Sequence, residues 1–490
     1  MGIAANKRRQ RSAFVSTWKP TQRPLLTLSD QGSPLPIEPG LFGIGGRDRS
    51  WNAHAENFIS TNRPQFTSLE IKPELVAETT EIALRLRPGG VVGAVPLRSP
   101  DTHKIAGGIV VRPRFGWDGI GPLLASIGWV ASPQVLEMPL VPGSAREIPP
   151  WVLAGPVLQR LASLLREIRS GFRMHEEVRQ NPRGQIVWKR YVTEQMGRGA
   201  FHQLPCRFPE LGPDVILRSY LRWGLEKVHR SLIPYAVVDI VARRLAMQAE
   251  ELIYGVKDSA ARVPDKHNLV QLTKAVGLPS QILMRGIQAL GWIVDERGLA
   301  GSSETDGLAW SMPMHRLFEC WVENITRAWA HEFGGQVLAG RADETVVPIN
   351  WDRGSHTSMK TLIPDLVVRH ENHVFVIDAK YKAHFQEMDE TRWLALSEEM
   401  REEHRHDLHQ ILAYSSVFDG PEITAVLVYP MHSQTWERLA DYDRTVAKAT
   451  LSSGGRPVNL ALVGLPLQIP PDKSIASITQ TWNVLRSQVA

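Results

Sequence analysis

The stretch that decides the fold reads Ile363-Pro364-Asp365-Leu366-Val367-Val368, then a polar break over residues 369–373, then Val374-Phe375-Val376-Ile377-Asp378-Ala379-Lys380. Two apolar runs joined by a short polar break predict a β-hairpin. Because side chains alternate between the faces of a strand, Asp378 and Lys380 should point the same way. We therefore expect the carboxylates of Asp365 and Asp378 and the Lys380 ammonium group to converge on one edge.

These residue types suit metal-assisted cleavage of a phosphodiester. Magnesium prefers oxygen ligands and is usually held by one or two carboxylates, with water and substrate phosphate completing its shell. A neighbouring lysine can offset the charge of the transition state. The alternative is an ordinary surface hairpin, because Pro-Asp pairs also occur elsewhere. None of the others precedes a β-rich run ending in Asp-x-Lys: Pro100-Asp101, Pro213-Asp214, Pro264-Asp265 and Pro471-Asp472.

The flanking segments place further polar residues on helices. Upstream, Leu317, Trp321 and Ile325 fall on one stripe of a predicted helix, and Glu319 on that helix is a candidate additional carboxylate. Viewed alone, Glu319 is better explained as a solvated helix residue. Downstream, Gln410 and Tyr414 are four residues apart and share one helix face.

The predicted order is a helix with Glu, a strand, a strand with Pro-Asp, a strand with Asp-x-Lys, a helix with Gln-x-x-x-Tyr, and a buried strand over residues 425–430. This set resembles the PD-(D/E)xK nuclease superfamily, in its RecB-like branch, and is most similar to the McrC family of McrBC restriction systems. The motifs that carry the resemblance are Phe318-Glu319, Ile363-Pro364-Asp365, Ile377-Asp378-Ala379-Lys380-Tyr381-Lys382, Gln410-x-x-x-Tyr414 and Leu427-Val428-Tyr429-Pro430.

The resemblance covers residues 306–432 and implies a role for each motif. It implies Mg²⁺, with Mn²⁺ as a substitute, bound by Asp365 and Asp378, and Lys380 as the catalytic lysine. Glu319 would be an additional acid and metal ligand. Gln410 and Tyr414 would support the site or contact DNA.

The expected fold class is α/β in the nuclease region and multi-domain α+β overall. A mixed central sheet flanked by helices should occupy residues 306–490. Composition divides the preceding chain into an extended basic arm over residues 1–65, a small β-rich module over 66–145, and a mainly helical middle region over 146–305. The polar segment 295–307 is the expected linker.

Composition agrees with an ordinary globular protein that has a polyanionic partner. The 490 residues carry a net charge of +5, which suits DNA only weakly, and the two cysteines indicate a reducing compartment. No apolar run reaches the ~20 residues of a membrane-spanning helix. We expect a cytoplasmic protein with no membrane association.

Three features have a functional and an ordinary interpretation. His404, His406 and His409 suggest zinc, but residues 404 and 406 lie about 200° apart on a helix, which favours a solvated helix start. The basic run at residues 7–11 could bind DNA or a protein, or serve only solubility. Tryptophans such as Trp310 should be core residues and not base-stacking platforms.

The chain has no Gly-Lys pair and therefore no nucleotide-binding P-loop. The resemblance to McrC implies that nucleotide energy comes from a hexameric AAA+ partner of the McrB type, docked on residues before 305. Two alternatives remain open at this stage. One is a stand-alone RecB-like DNA-processing nuclease, and the other is a catalytically silent adaptor that regulates a motor.

Overall fold

A computed structural model describes the chain from residue 23 to residue 486. The segments outside the described residues include the basic run at residues 7–11 and almost all of the predicted linker. The gaps are 38–49, 78–81, 118, 145–148, 150, 169–170, 213–214, 276–279, 295–306, 352–358, 383–384, 386, 389–394, 452–456 and 469–473.

The first part of the chain forms a β-rich unit with helices between its strands. Its elements in chain order are β1 (Leu25–Ser29), β2 (Leu35–Ile37), α1 (Ser50–Thr61), α2 (Arg63–Ser68), β3 (Lys72–Ala77), β4 (Ile82–Arg87), β5 (Val91–Arg98), β6 (Ile105–Arg112), α3 (Ile120–Ser126) and β7 (Gln134–Val135). The prediction of an extended arm over residues 1–65 is therefore wrong for β1, β2 and α1. Proline and glycine marked the turns there, but apolar strands and a helix lie between them.

The middle part is helical with an inserted sheet. Its elements are α4 (Trp151–Glu167), β8 (Gly171–Arg179), β9 (Gln185–Ile186), α5 (Trp188–Arg190), β10 (Leu204–Gly212), α6 (Val215–Leu232), α7 (Ile240–Tyr254), α8 (Lys266–Ala275) and α9 (Gln281–Val294). Strands β8, β10 and β9 form a three-stranded antiparallel sheet. The region predicted as mainly helical thus contains a β-arm, defined here as residues 171–212.

The last part carries the predicted hairpin. Its elements are β11 (Trp310–Pro313), α10 (Met314–His331), β12 (Gln336–Ala339), β13 (Val347–Pro348), β14 (Thr361–Leu362), β15 (Leu366–His370), β16 (His373–Ala379), α11 (Glu398–Ser416), β17 (Glu422–Met431), α12 (Ser433–Ala440), β18 (Val446–Leu451), β19 (Val458–Pro466) and α13 (Ile475–Trp482).

The C-terminal sheet is mixed and has six strands in the order β12-β15-β16-β17-β19-β18. β15 and β16 pair antiparallel as the predicted hairpin, while β16, β17 and β19 run parallel. Helices cover both faces of β16. On one face the ring of Phe375 lies 5.0 Å from that of Trp329 in α10, and on the other Lys380, just past the strand, reaches α11. The predicted order of helices and strands around the hairpin is confirmed.

Strand β11 ties this region to the N-terminal unit. It pairs with β5 and β7 and completes a five-stranded sheet in the order β1-β6-β5-β11-β7. Val92 and Ala94 on one face of β5 belong to the main core, whereas Val91 and Val95 on the other face pack in a second core with Phe58 of α1. Because β11 continues directly into α10, the N-terminal sheet fixes the start of that helix.

The tryptophan prediction is confirmed. Trp310, Trp321 and Trp329 are all fully buried, although Trp310 lies on β11 and not on a helix face. Among the described residues, no helix is long and apolar enough to cross a membrane.

At Gly93 the backbones of β5 and β11 lie too close together to admit a side chain, which gives a test of this connection. A Cβ atom at Gly93 would lie 2.2 Å from the carbonyl oxygen of Trp310. We expect Gly93→Ala to force the strands apart and lower the free energy of unfolding by about 1–3 kcal/mol. Gly90→Ala is the control, because its Cβ would meet nothing closer than 3.5 Å. Thermal unfolding measures both, and equal midpoints would contradict the argument.

Candidate functional site

Two carboxylates stand opposite each other where β15 begins and β16 ends. The register pairs Leu366 with Ile377, so the next position pairs Asp365 with Asp378. The backbone N–H of Ala379 donates a hydrogen bond of 2.7 Å to Asp365 Oδ2. Asp378 is only 2% exposed. The expected convergence of the two carboxylates therefore follows from cross-strand pairing as well as from alternation.

Burial and mutual repulsion disfavour the charged forms of these acids. Burial, followed by the neighbouring charge of Asp378, raises the pKa of Asp365 to about 8. Burial also raises the pKa of Asp378, although the Lys380 ammonium group opposes that shift. A cation bound between the two acids would favour their charged forms and offset this repulsion.

Lys380 connects the carboxylates to α11. Its Nζ lies 2.7 Å from Asp378 Oδ2 and donates a 2.8 Å hydrogen bond to Gln410 Oε1. Gln410 Nε2 in turn donates to the Tyr414 hydroxyl at 2.9 Å. Burial acts to lower the pKa of Lys380, but the charge and hydrogen bond of Asp378, together with the charges of Asp407 and Asp365, outweigh burial and raise the pKa. The lysine is therefore held as a cation in a fixed position.

Glu319 on α10 is partly buried. Burial raises its pKa, and the charge of Asp378 adds to that shift while His315 and Lys380 oppose it. This mutual influence places Glu319 within electrostatic range of the pair. The solvated-residue interpretation is thereby weakened, and the role of Glu319 as a ligand stays a prediction.

A second polar network, which the sequence patterns did not reveal, lies beside the first. Lys382 Nζ contacts both carboxylate oxygens of Asp407, at 3.0 and 3.2 Å. The Tyr429 hydroxyl donates to Asp407 Oδ2 at 3.3 Å, and His404 Nδ1 lies 3.2 Å from that hydroxyl. Sequence spacing could have indicated this network, because Asp407 precedes Gln410 by three residues and Lys382 follows Lys380 by two residues.

This network corrects the interpretation of the histidine cluster. His404 is 5% exposed and belongs to the buried network, so the prediction of a solvated helix start is wrong for it. His406 and His409 are exposed, as the angular argument predicts. A shared zinc ion at the three histidines is therefore not supported.

The number of acidic side chains at the site limits which metal ion they could bind. Within the described ranges, no group of three or more His, Cys, Asp or Glu side chains has the geometry to hold one. Two opposed carboxylates remain, and this number suits magnesium, which keeps several water ligands and takes one or two carboxylates. The residues present therefore fit Mg²⁺ or Mn²⁺ better than an ion that requires a complete protein cage.

Comparison with known proteins assigns a family. The model of the family described as "McrBC 5-methylcytosine restriction system component" matches residues 151–430, more than half of the chain. The chain belongs to this family. The match contains every candidate site residue, and it begins at α4, far upstream of residue 306, where the sequence resemblance to nucleases starts.

Two solved structures from Thermococcus gammatolerans are similar to this chain. One is a refined half-complex from a tetradecameric assembly of McrB AAA+ hexamers with bound McrC, at 12% identity and a TM-score of 0.42, covering 94% of this chain and 100% of that chain. The other is a cryo-EM structure of the McrBC complex, at 12% identity and a TM-score of 0.28, covering 62% and 88%. No curated protein sequence matches the chain.

The second network gives a stability prediction. Removing the Asp407 carboxylate leaves the buried Tyr429 hydroxyl and the Lys382 ammonium group without their shared acceptor. We expect Asp407→Ala to lower the free energy of unfolding by about 3 kcal/mol.

Glu403→Ala is the matched control, because Glu403 contacts the same lysine at 3.5 Å but is 48% exposed. It should cost less than about 1 kcal/mol. Chemical denaturation compares the two variants, and an equal loss would show that Asp407 does not organise the network.

Proposed function

We propose that this chain is the nuclease subunit of a McrBC-like restriction system and cleaves DNA phosphodiester bonds in a PD-(D/E)xK-type site. The observation that carries the proposal is the convergence of Asp365, Asp378 and Lys380 at the edge of a mixed sheet, within a chain of the McrBC family. The strand order around β15 and β16 supports the nuclease fold. Mg²⁺, or Mn²⁺ in its place, is the proposed cofactor.

Each residue has a proposed task. Asp365 and Asp378 would hold the metal ion, and Glu319 is the candidate third acid. A bound metal ion supplies polarisation of the phosphoryl oxygen and a water of lowered pKa. Lys380 offers its positive charge to the transition state. Gln410 and Tyr414 orient it, because Gln410 accepts a hydrogen bond from Lys380 and donates one to the Tyr414 hydroxyl.

The proposal includes a separate motor of the McrB type, an AAA+ hexamer that hydrolyses GTP or ATP. The sequence itself has no P-loop. The end of the β-arm offers a docking surface, because four apolar side chains between β9 and β10 are exposed. They are Trp188 at 62%, Val192 at 56%, Met196 at 43% and Phe201 at 61%. Such a concentration of exposed apolar surface is typical of a protein interface.

The division of roles between acids and lysine can be tested by substitution. We expect Lys380→Met to retain binding of Mn²⁺, because both carboxylates remain, and to lower the rate of DNA cleavage by at least about 100-fold. Asp365→Ala and Asp378→Ala should lose both metal binding and cleavage. Calorimetry with Mn²⁺ and cleavage assays with a cognate AAA+ motor and nucleotide measure the two properties.

Two results would contradict these assignments. One is Mn²⁺ affinity lost in Lys380→Met but normal in Asp365→Ala. The other is unchanged cleavage by Asp378→Ala in the reconstituted complex. Strong cleavage by the chain alone with Mg²⁺ and no nucleotide would instead favour the stand-alone nuclease, and no cleavage by the complete wild-type complex would favour the adaptor.

The docking surface has its own test. We expect the double variant Trp188→Ser, Phe201→Ser to weaken binding to the AAA+ motor by at least about 10-fold, because aromatic residues dominate interface energies. The control is Val237→Ser, Val238→Ser, which replaces equally exposed apolar residues, at 76% and 86%, between α6 and α7. Equal affinities for the two variants, measured by biolayer interferometry, would remove the β-arm from the interface.

A further inference from the structure

Tyr381 lies between the two lysines of the site and faces away from them. Lys380 and Lys382 turn toward Gln410 and Asp407 on α11. Tyr381 turns toward α10, where its ring lies 6.1 Å from that of Phe318. It is 4% exposed. Tyr381 is thus the residue through which the end of β16 contacts the helix that carries Glu319.

The remaining surface of Tyr381 is covered by the N-terminal unit. The guanidinium carbon of Arg114, two residues after β6, lies 4.8 Å from the centre of the Tyr381 ring and 4.9 Å from that of Phe115. The rings of Phe115 and Tyr381 are 6.1 Å apart at an angle of 70°. A guanidinium group over two buried rings is held by cation–π attraction.

Asp30, the residue after β1, holds the backbone of Arg114. Its Oδ1 accepts a hydrogen bond from the Arg114 backbone N–H, and Asp30 is completely buried. Residues from the nuclease region hold the other side of this loop. His432 lies 4.7 Å from Phe115, ring centre to ring centre, and Gln468 Nε2 donates to the Phe115 carbonyl oxygen. Residues of both units therefore hold the loop that carries Arg114 and Phe115.

The polar groups of this contact act on one another. The Tyr381 hydroxyl interacts with the Asp30 carboxylate and with the Arg114 side chain. Asp30, Arg114 and Tyr381 therefore form one buried polar cluster, which joins the N-terminal unit to the segment that carries Lys380 and Lys382.

We propose that Arg114, held by Asp30, is a positioning residue that sets the location of Tyr381 and thereby of its neighbour Lys380. This inference rests on the proposed nuclease function. The N–H of Lys380 donates to the Val428 carbonyl oxygen at 2.8 Å, and this hydrogen bond holds the segment to β17. A shift of Tyr381 would pull on that bond and move the lysine relative to the carboxylates. The N-terminal unit thus controls the geometry of the site without touching substrate.

The test replaces Arg114 by Met in the full-length chain, which keeps an apolar contact on both rings and removes the charge. We expect kcat for DNA cleavage by the reconstituted complex to fall about 10-fold, because Lys380 would no longer be held in line with the carboxylates. The KM for DNA and the calorimetric affinity for Mn²⁺ should stay unchanged. Hydrogen exchange of the backbone amides at 379–382 should accelerate, whereas exchange in β5 and β6 should not.

Arg114→Lys should restore part of kcat, because an ammonium group also binds aromatic faces. Arg87→Met is the control, since Arg87 forms an exposed ion pair with Glu74 in the same unit and is not among the contacts of Tyr381. Normal kcat with normal exchange at 379–382 in Arg114→Met would overturn the proposal. So would faster exchange throughout the chain with parallel loss of Mn²⁺ affinity, which indicates a purely structural role. If the wild-type complex does not cleave DNA but the local exchange effect is present, the nuclease function fails and the positioning role stands.

Discussion

The ion pair between Asp378 and Lys380 is the interaction on which the candidate site depends. A carboxylate that is 2% exposed keeps its charge only beside a cation, and the Lys380 ammonium group at 2.7 Å provides one. Asp365, directly across the hairpin, has no such partner of its own, and its pKa rises to about 8. A divalent cation between the two acids would favour the charged form of Asp365. This is the physical basis for proposing one there.

Helix α11 serves the site through one face. Asp407, Gln410 and Tyr414 recur at intervals of three and four residues, so they line a single stripe. Gln410 accepts a hydrogen bond from Lys380 and is itself bonded to Tyr414. Asp407 accepts hydrogen bonds from Lys382 and from the Tyr429 hydroxyl. The two lysines are therefore held by adjacent turns of one helix. This explains why a segment just beyond the end of β16 can keep a defined position.

The N-terminal unit is integrated with the C-terminal region and is not attached to it only by a linker. Strand β11 lies in the N-terminal sheet and continues into α10, which carries Glu319. Arg114 contacts Tyr381 between the two site lysines. Both connections reach the elements that present the candidate site residues. The two units are therefore joined by strand pairing and side-chain contacts as well as by a shared core. The domain boundary at residue 306 stays a prediction.

The sequence by itself determined the local features of this protein. Period-two alternation fixed which side of the hairpin carries Asp378 and Lys380, and helical spacing placed Gln410 and Tyr414 together, because both depend only on neighbours along the chain. Only the tertiary structure decided that β11 pairs with β5, that His404 is buried, and that Arg114 covers Tyr381. Those contacts join residues far apart in sequence. Local periodicity holds no information about such partners, which are selected by long-range strand pairing and by the fit of buried side chains.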